Sequence, residues 1–385
     1  MTTTRRAVLG MIGASGAVLA TGAVAATASG ASSGAAATPA DVRAFDQFLK
    51  DQGFSGSLLL VHRGRPALAR SYGRANDAAL NGPDTLFAMA SVTKLFTATA
   101  IAQLAQAGKV SYRATLGTYV SGFPASIADT VTVHHLLTHT SGFGDPFTWP
   151  GFEEESATWT SAEQVMNGWT DYIRRSSLEF SPGVGFRYSN AGYHMLGEIV
   201  AKVSDKSYYD YVREHVFRAA GMTSTDFYTA PQWRTDPRMA HPYAVEPSGE
   251  YVDAIDRRGF IGTPAGDAFS TCADMARFAR ALQGSKLLNP AFTAITLGGK
   301  LPLGPPPGSG SGGVAPVGFQ CYGPVTMLVN NQWVTGHTGG APGTSTDFQL
   351  YPDRDWVSVI LSNRDYGDGR TPPPFPAKAR DLIMA

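Results

Sequence analysis

The sequence predicts an α+β fold in which one sheet is built from both ends of the chain and a mostly helical lobe is inserted between them. β-type patterns occur near the beginning and near the end of the 385 residues, and the long middle part is dominated by helical patterns. We therefore expect one domain over 38–385. Its α/β lobe covers about 38–90 and 263–385, and its helical lobe covers about 91–262.

Gly, Ser and Pro residues mark the ends of most of the predicted elements. The predicted strands are Ser55–His62, Pro66–Tyr72, Gln332–His337 and Trp356–Ser362. The predicted helices are Asp41–Gln52, Ser91–Ala107, Ser161–Arg175, Ala191–Val203, Tyr208–Ala220, Ala273–Leu282 and Ala377–Met384. Leu301–Val317 is so rich in Gly, Pro and Ser that we expect a mobile loop there.

The first 37 residues resemble a twin-arginine export signal followed by a linker. Arg5 and Arg6 precede a weakly apolar stretch, and Ala23-Val24-Ala25 offers a small-residue cleavage site. No other stretch is apolar enough to span a membrane, and no cysteine near the cleavage region could carry a lipid. We expect a secreted protein without a stable membrane anchor.

The charge balance of the chain argues against nucleic acid and anionic membranes as partners. The sequence has 31 basic and 31 acidic residues, and removing Arg5 and Arg6 leaves 29 against 31. Cys272 and Cys321 are the only cysteines, and in an exported protein they either form one disulfide or remain two buried thiols.

Ser91-Val92-Thr93-Lys94 opens the most apolar predicted helix. Lys94 is the only one of eight lysines with a serine three positions before it. This spacing places Ser91 and Lys94 on one helical face. Burial and the positive end of the helix dipole both lower the pKa of a lysine here. A neutral amine beside a hydroxyl is a general base beside a nucleophile, although a lysine at a helix end often only extends to solvent.

Tyr188-Ser189-Asn190 precedes a predicted helix. Taken alone, this is a core tyrosine followed by an asparagine that caps a helix. Beside Lys94, however, the phenolate of Tyr188 would be stabilised and could relay protons, and Asn190 could hold the lysine or a substrate amide.

His337-Thr338-Gly339-Gly340 follows the predicted strand that begins at Gln332. Glycines there would let a substrate approach the strand edge, and a strand N–H could stabilise an oxyanion together with the N–H of Ser91. A Thr-Gly-Gly sequence at a strand end is also ordinary turn chemistry.

The three elements together resemble the serine β-lactamase and penicillin-binding family. Its branch of class C β-lactamases, secreted D-alanyl-D-alanine carboxypeptidases and β-lactamase-like esterases carries S-x-x-K, Y-x-N and [KH]-T-G in this order. The segments 136–142, 220–222 and 270–275 also resemble that branch, so the resemblance covers roughly Gly56 to Asn363. It implies a β-lactamase/transpeptidase-like fold, with an antiparallel sheet flanked by helices.

The resemblance implies a role for each matching residue. Ser91 would be acylated, and Lys94 and Tyr188 would transfer protons. Asn190, His337, Thr338 and Gly339 would contact the substrate, and the N–H groups of Ser91 and Gly340 would form the oxyanion hole.

The function implied by this resemblance is that of a secreted serine hydrolase acting on a small-molecule or peptide substrate. A D-alanyl-D-alanine carboxypeptidase is the first expectation, an esterase the second, and a penicillin-binding sensor module without turnover the third. We expect a monomer without a cofactor. His337 replaces the lysine of most relatives, which makes a β-lactamase less favoured. With an ordinary pKa near 6.5, it would bind a substrate carboxylate best in mildly acidic medium.

Two competing motifs are weaker. Gly30–Gly34 fits G-x-S-x-G, but it lies beside the export signal and follows no strand. His135 and His139 have the spacing of zinc ligands, but no third ligand is evident, so we expect no metal.

The aromatic-rich stretch Phe147–Trp169 is expected to pack on the cleft rim.

Overall fold

The fold is organised by one large sheet, seen in a computed structural model that describes residues 39–304, 317–366 and 374–385. The strands are β1 Gly56–His62, β2 Arg65–Tyr72, β3 Phe87–Ala88, β4 Tyr243–Val245, β5 Tyr251–Asp253, β6 Phe269–Ser270, β7 Leu301–Leu303, β8 Val317–Gln320, β9 Val325–Val329, β10 Gln332–Ala341, β11 Thr344–Tyr351 and β12 Trp356–Ser362. Eight of them form an antiparallel sheet in the order β2-β1-β12-β11-β10-β9-β8-β7. The predicted sheet from both chain ends is therefore confirmed.

The helices lie mainly in the middle of the chain. They are α1 Pro39–Asp51, α2 Lys94–Gln106, α3 Ala125–Ala128, α4 Val133–Leu137, α5 Phe152–Ser156, α6 Ala162–Arg175, α7 Asn190–Ser204, α8 Tyr208–Val212, α9 Ala230–Thr235, α10 Cys272–Gln283, α11 Pro290–Leu297 and α12 Phe375–Met384. A π-helical stretch, Arg213–Arg218, continues α8. Within the described ranges, no helix is both long and apolar enough to cross a membrane.

The two faces of the sheet contribute to different hydrophobic clusters. Leu58 and Leu60 of β1 pack with α1 and α12 on the outer face. The inner face, which includes Phe348, joins the core formed with α2 and α7. Because side chains alternate along a strand, the central strands β1, β11 and β12 contribute to both clusters. The inner cluster is where the sheet meets the helical lobe.

Most predicted elements occur within a few residues of their expected bounds, but two expectations change. The predicted helix Ser91–Ala107 begins with a 3₁₀ turn, Ala90–Thr93, before α2. The segment Leu301–Val317, expected to be a mobile loop, begins with strand β7 and ends with the first residue of β8. Its residues 305–316 lie outside the described residues, and so does the segment 1–37, which was expected to be an export signal and linker.

Cys272 and Cys321 do not form a disulfide. Both thiols are free and buried, and each lies against a different carbonyl. The Cys272 thiol donates to the Ser57 carbonyl at 3.3 Å, and the Cys321 thiol donates to the Leu297 carbonyl at 3.0 Å. Burial raises the pKa of both thiols, which makes them unreactive.

Candidate active site

Ser91 lies in a tight turn that is held from several sides. Ala90 adopts a φ of +42°, which is unfavourable for a residue with a side chain, so the surrounding contacts must maintain it. The Ala90 carbonyl accepts from the Asp267 N–H at 3.1 Å, and the Met89 N–H donates to the Ala268 carbonyl at 2.8 Å. These bonds fix the turn so that Ser91 is only partly buried, immediately before α2.

Lys94 is the first residue of α2 and is fully buried. Its Nζ lies 3.1 Å from Ser91 Oγ, 2.7 Å from Asn190 Oδ1 and 2.6 Å from the Ala265 carbonyl oxygen. Ten of the thirteen residues of α2 are buried, so the predicted burial of this helix and of its lysine is confirmed. The predicted juxtaposition of Ser91 and Lys94 is also observed.

The environment of Lys94 favours the neutral amine. Burial lowers its pKa to about 7, although the charges of Asp145 and Asp267 oppose part of this effect. A neutral amine has two N–H bonds and one lone pair. The Asn190 and Ala265 oxygens can only accept, so they take the two N–H groups. The lone pair then faces Ser91, whose O–H can donate to it.

Asn190 is oriented by Asp145, a residue that sequence reasoning did not select. The Asn190 Nδ2 donates to Asp145 Oδ2 at 2.9 Å, which turns Oδ1 toward Lys94. Asp145 also accepts from the Phe147 N–H at 3.2 Å and caps the short 3₁₀ turn Pro146–Thr148. A chain of hydrogen bonds therefore connects Asp145 to the amine through one amide.

Tyr188 covers the site from the helical side. The Lys94 Nζ lies 4.7 Å from the centroid of its ring, and the ring of Tyr188 lies 6.3 Å from that of His337. Burial of the phenol group raises its pKa above the ordinary value, and a hydrogen bond with Ser91 opposes only part of that rise. The expected phenolate is thus not favoured in the resting site, because Lys94 itself tends to be neutral. Tyr188 can act as a neutral relay.

His139 forms the platform under Tyr188. Its ring stacks on the Tyr188 ring at 4.5 Å with an angle of 30°, and its Nδ1 accepts from the Ser189 N–H at 3.1 Å. Its Nε2 is buried and has no hydrogen-bond partner within the described part of the chain. His135 is used separately, since its Nδ1 accepts from the Thr132 N–H at 3.2 Å. The two histidines considered as metal ligands therefore hold local structure.

His337 differs from the expectation most clearly. Burial, followed by the charge of Lys94, lowers its pKa to about 4. Its Nδ1 lies 2.5 Å from the Thr338 carbonyl oxygen, which can only accept, so Nδ1 carries the proton. The neutral ring then has only a lone pair at Nε2. The expectation of an ordinary pKa for His337 is wrong, because burial favours the uncharged imidazole, and its binding of a substrate carboxylate stays a prediction.

Glycine occupies positions 339 and 340, which follow Thr338, for two different structural reasons. A Cβ at Gly339 would lie 2.5 Å from the Met89 carbonyl oxygen and 2.3 Å from Thr346 Oγ1, so close packing against the Ser91 turn requires glycine. A Cβ at Gly340 would meet nothing within 4 Å. Strand β9 pairs only with Gln332–Gly336, so it leaves this part of the β10 edge uncovered. The strand edge at Gly340 therefore has room for a substrate.

Comparison with known proteins places this geometry in a family. The model of the family described as Beta-lactamase matches residues 42–380. The chain belongs to the beta-lactamase family. It is a serine hydrolase of the β-lactamase and penicillin-binding type, as the order of its motifs predicts.

Two curated relatives from Bacillus subtilis (strain 168) are similar over much of this family member. A candidate penicillin-binding protein, PbpX, is 32% identical over 62% of this chain and 58% of its own length. Penicillin-binding protein 4* is 29% identical over 81% of this chain and 68% of its own length. The match to PbpX thus spans less than two thirds of that relative. A solved penicillin-binding protein from Bacillus halodurans is 27% identical, with a TM-score of 0.75 over 88% of this chain and 98% of that one.

Proposed function

We propose that this serine hydrolase acts through an acyl-enzyme formed on Ser91. The observation that carries the proposal is the 3.1 Å distance between Lys94 Nζ and Ser91 Oγ, across which a neutral amine can accept the hydroxyl proton. Attack of Oγ on a substrate carbonyl forms the new C–O bond, and the hydroxyl proton passes to Nζ. The leaving group takes that proton, directly or through Tyr188, and departs. A water molecule then attacks the acyl carbonyl in the same way, its proton passes to Ser91 Oγ, and the acid is released.

The oxyanion of each tetrahedral intermediate would be stabilised by the backbone N–H groups of Ser91 and Gly340. Strand β10 packs against the turn that carries Ser91. Thr346 Oγ1 strengthens this junction, because it donates to the Met89 carbonyl at 3.0 Å. Such preorganised donors cost no reorganisation when charge develops.

The preferred substrates are neutral acyl esters with an apolar acyl group. A neutral His337 with a lone pair at Nε2 offers no charge and no ring N–H to a terminal carboxylate. Alternate residues of the segment leading into the site, Val184, Phe186 and Tyr188, are 79%, 45% and 38% exposed. Phe186 packs against His139, whose ring stacks on Tyr188, and exposed apolar side chains near the candidate site favour an apolar substrate.

A D-alanyl-D-alanine carboxypeptidase is the second candidate, favoured by the 29% and 32% identity to proteins named for penicillin binding. A penicillin-binding module that acylates without turnover is the third. Export through the twin-arginine pathway remains a further proposal, since residues 1–37 lie outside the described ranges.

A substrate panel distinguishes these functions. The purified protein is assayed with p-nitrophenyl butyrate, with a peptide ending in D-Ala-D-Ala, and with a penicillin. We expect ester turnover at a kcat/KM at least about tenfold above that for the peptide. Release of D-alanine as the faster reaction would favour the carboxypeptidase. A stable penicillin adduct without turnover of either substrate would favour the sensor. Loss of ester turnover in Ser91→Ala is the control for contaminating esterases.

A further inference from the structure

A second cavity lies on the outer face of the sheet, behind the strand that carries His337. Its volume is about 840 Å³, and residues of β10, β11, β12 and α12 line it. Alternation along β10 separates the two sites: the ring of His337 lies near Tyr188, whereas Thr338 and Gly340 are exposed and line the cavity. Neither Ser91 nor Lys94 lines it.

Asp347 is the unusual group in this cavity. It pairs in register with Thr338, so their side chains share the outer face of the sheet. The residue is 3% exposed, and its Oδ1 accepts from Gln349 Nε2 at 2.9 Å. Its Oδ2 has no hydrogen-bond partner among the residues that the structure describes. Arg380 of α12 acts on it only through its charge, and burial raises the pKa of Asp347 to about 7.

A buried carboxylate without a hydrogen-bonded cation is costly, and its free oxygen is a strong acceptor. The wall combines apolar and aromatic side chains, among them Val334, Tyr351, Ile360 and Phe375, with polar groups that include Arg257, Asp365 and Arg380. A cavity of this size, with apolar side chains and a few polar groups, has the properties of a small-molecule site, and Asp347 Oδ2 is an acceptor in it without a partner among the described residues. A matching ligand has a cationic donor for Asp347 and an apolar body for the wall.

We propose that the cavity binds a small primary amine, with its ammonium group on Asp347 Oδ2 and its apolar body against β12 and α12. An occupant there contacts the outer side of Thr338 and Gly340, whose strand forms the inner wall of the active site. The site is therefore placed to regulate the hydrolase from behind its catalytic strand.

The test measures binding of benzylamine to the full-length protein by calorimetry, with benzyl alcohol as the neutral counterpart. We expect benzylamine to bind at least about tenfold more tightly than the alcohol, because only the amine pairs with a buried carboxylate. Asp347→Asn should remove that difference. Asp129→Asn, at an exposed position on the helical lobe, should retain it. Equal binding of amine and alcohol, or unchanged binding by Asp347→Asn, would overturn the proposal.

A second variant covers the case in which Asp347→Asn does not fold. Arg380→Met removes the nearby competing cation from the partly exposed face of α12, so benzylamine should bind about threefold or more tightly. Weaker binding would contradict the assignment. Benzylamine should also leave KM for an ester unchanged. Purely competitive inhibition, with an inhibition constant equal to the dissociation constant, would place the amine at Ser91 instead.

Discussion

Replacing Asp145 with asparagine should increase the fraction of its maximal activity that the hydrolase retains at acidic pH. The wild-type Lys94 has a pKa of about 7, so about one tenth of the amines are neutral at pH 6 and about nine tenths at pH 8. Asp145 raises this pKa through its charge. Asparagine removes the charge but keeps an acceptor for Asn190 Nδ2, so the geometry of the amine is preserved.

The size of the effect of Asp145 on the pKa of Lys94 follows from the length of the hydrogen-bond chain between them. Two bonds of 2.7 and 2.9 Å, joined by one amide, separate Nζ from the carboxylate. At roughly 7 Å and an effective dielectric constant near 20, Coulomb's law gives about 2.4 kcal/mol, or about 1.7 pKa units, as an upper limit. Because Asp145 is half-buried, we expect a decrease of about one unit. The neutral fraction at pH 6 then rises from about one tenth to about one half.

The assay is kcat/KM for p-nitrophenyl butyrate between about pH 5 and about pH 9. The kcat/KM of the wild type should rise with pH and level off near pH 7. The kcat/KM of Asp145→Asn should level off about one pH unit lower. Asp145→Ala is the matched control. It also loses the acceptor for Asn190, so its rate should fall at every pH. A limb that stays in place in Asp145→Asn, or moves to higher pH, would refute the electrostatic reasoning.

Three further substitutions test single contacts. Lys94→Arg keeps the charge permanently and should lower kcat/KM for the ester by about 10²–10⁴-fold with an unchanged melting temperature; near-normal activity would make Lys94 structural. His337→Lys should lower KM for a D-Ala-D-Ala peptide about tenfold relative to the ester, and an equal change for both substrates would mean that this position does not select against carboxylates. Gly339→Val should destabilise the fold by about 1–3 kcal/mol in thermal unfolding, because its side chain meets Met89, whereas Gly340→Ala should not; equal stabilities would contradict the close packing.

Local patterns were sufficient to predict that Ser91 and Lys94 lie together and that the lysine is buried. The three-residue spacing of Ser91 and Lys94 fixes their proximity in any helical turn, and the apolar sequence that follows indicates burial. The order of the three motifs then predicted the fold. Strand β11 was not predicted, because its sequence does not alternate between apolar and polar residues as a half-buried strand does. Thr344, Thr346 and Asp347 are buried polar residues at positions where apolar ones are expected.

Properties that depend on distant parts of the chain could not be predicted. The protonation of His337 follows from its burial by the assembled lobes and from the charge of Lys94, neither of which is visible in its neighbours along the sequence. Asp145 acts through Asn190, which is 45 residues away. An aspartate before a proline also has the ordinary explanation of capping a turn, and here Asp145 has that role as well.

The location of the covalent bond tests the mechanism most directly. The protein is mixed with p-nitrophenyl butyrate, quenched in acid during turnover, digested and analysed by mass spectrometry. The lone pair of Lys94 on Ser91 predicts a butyryl group on the peptide that carries Ser91, and no adduct in Ser91→Ala. An adduct on a different residue, or full ester turnover by the purified Ser91→Ala protein, would contradict the assignment of Ser91 as the nucleophile.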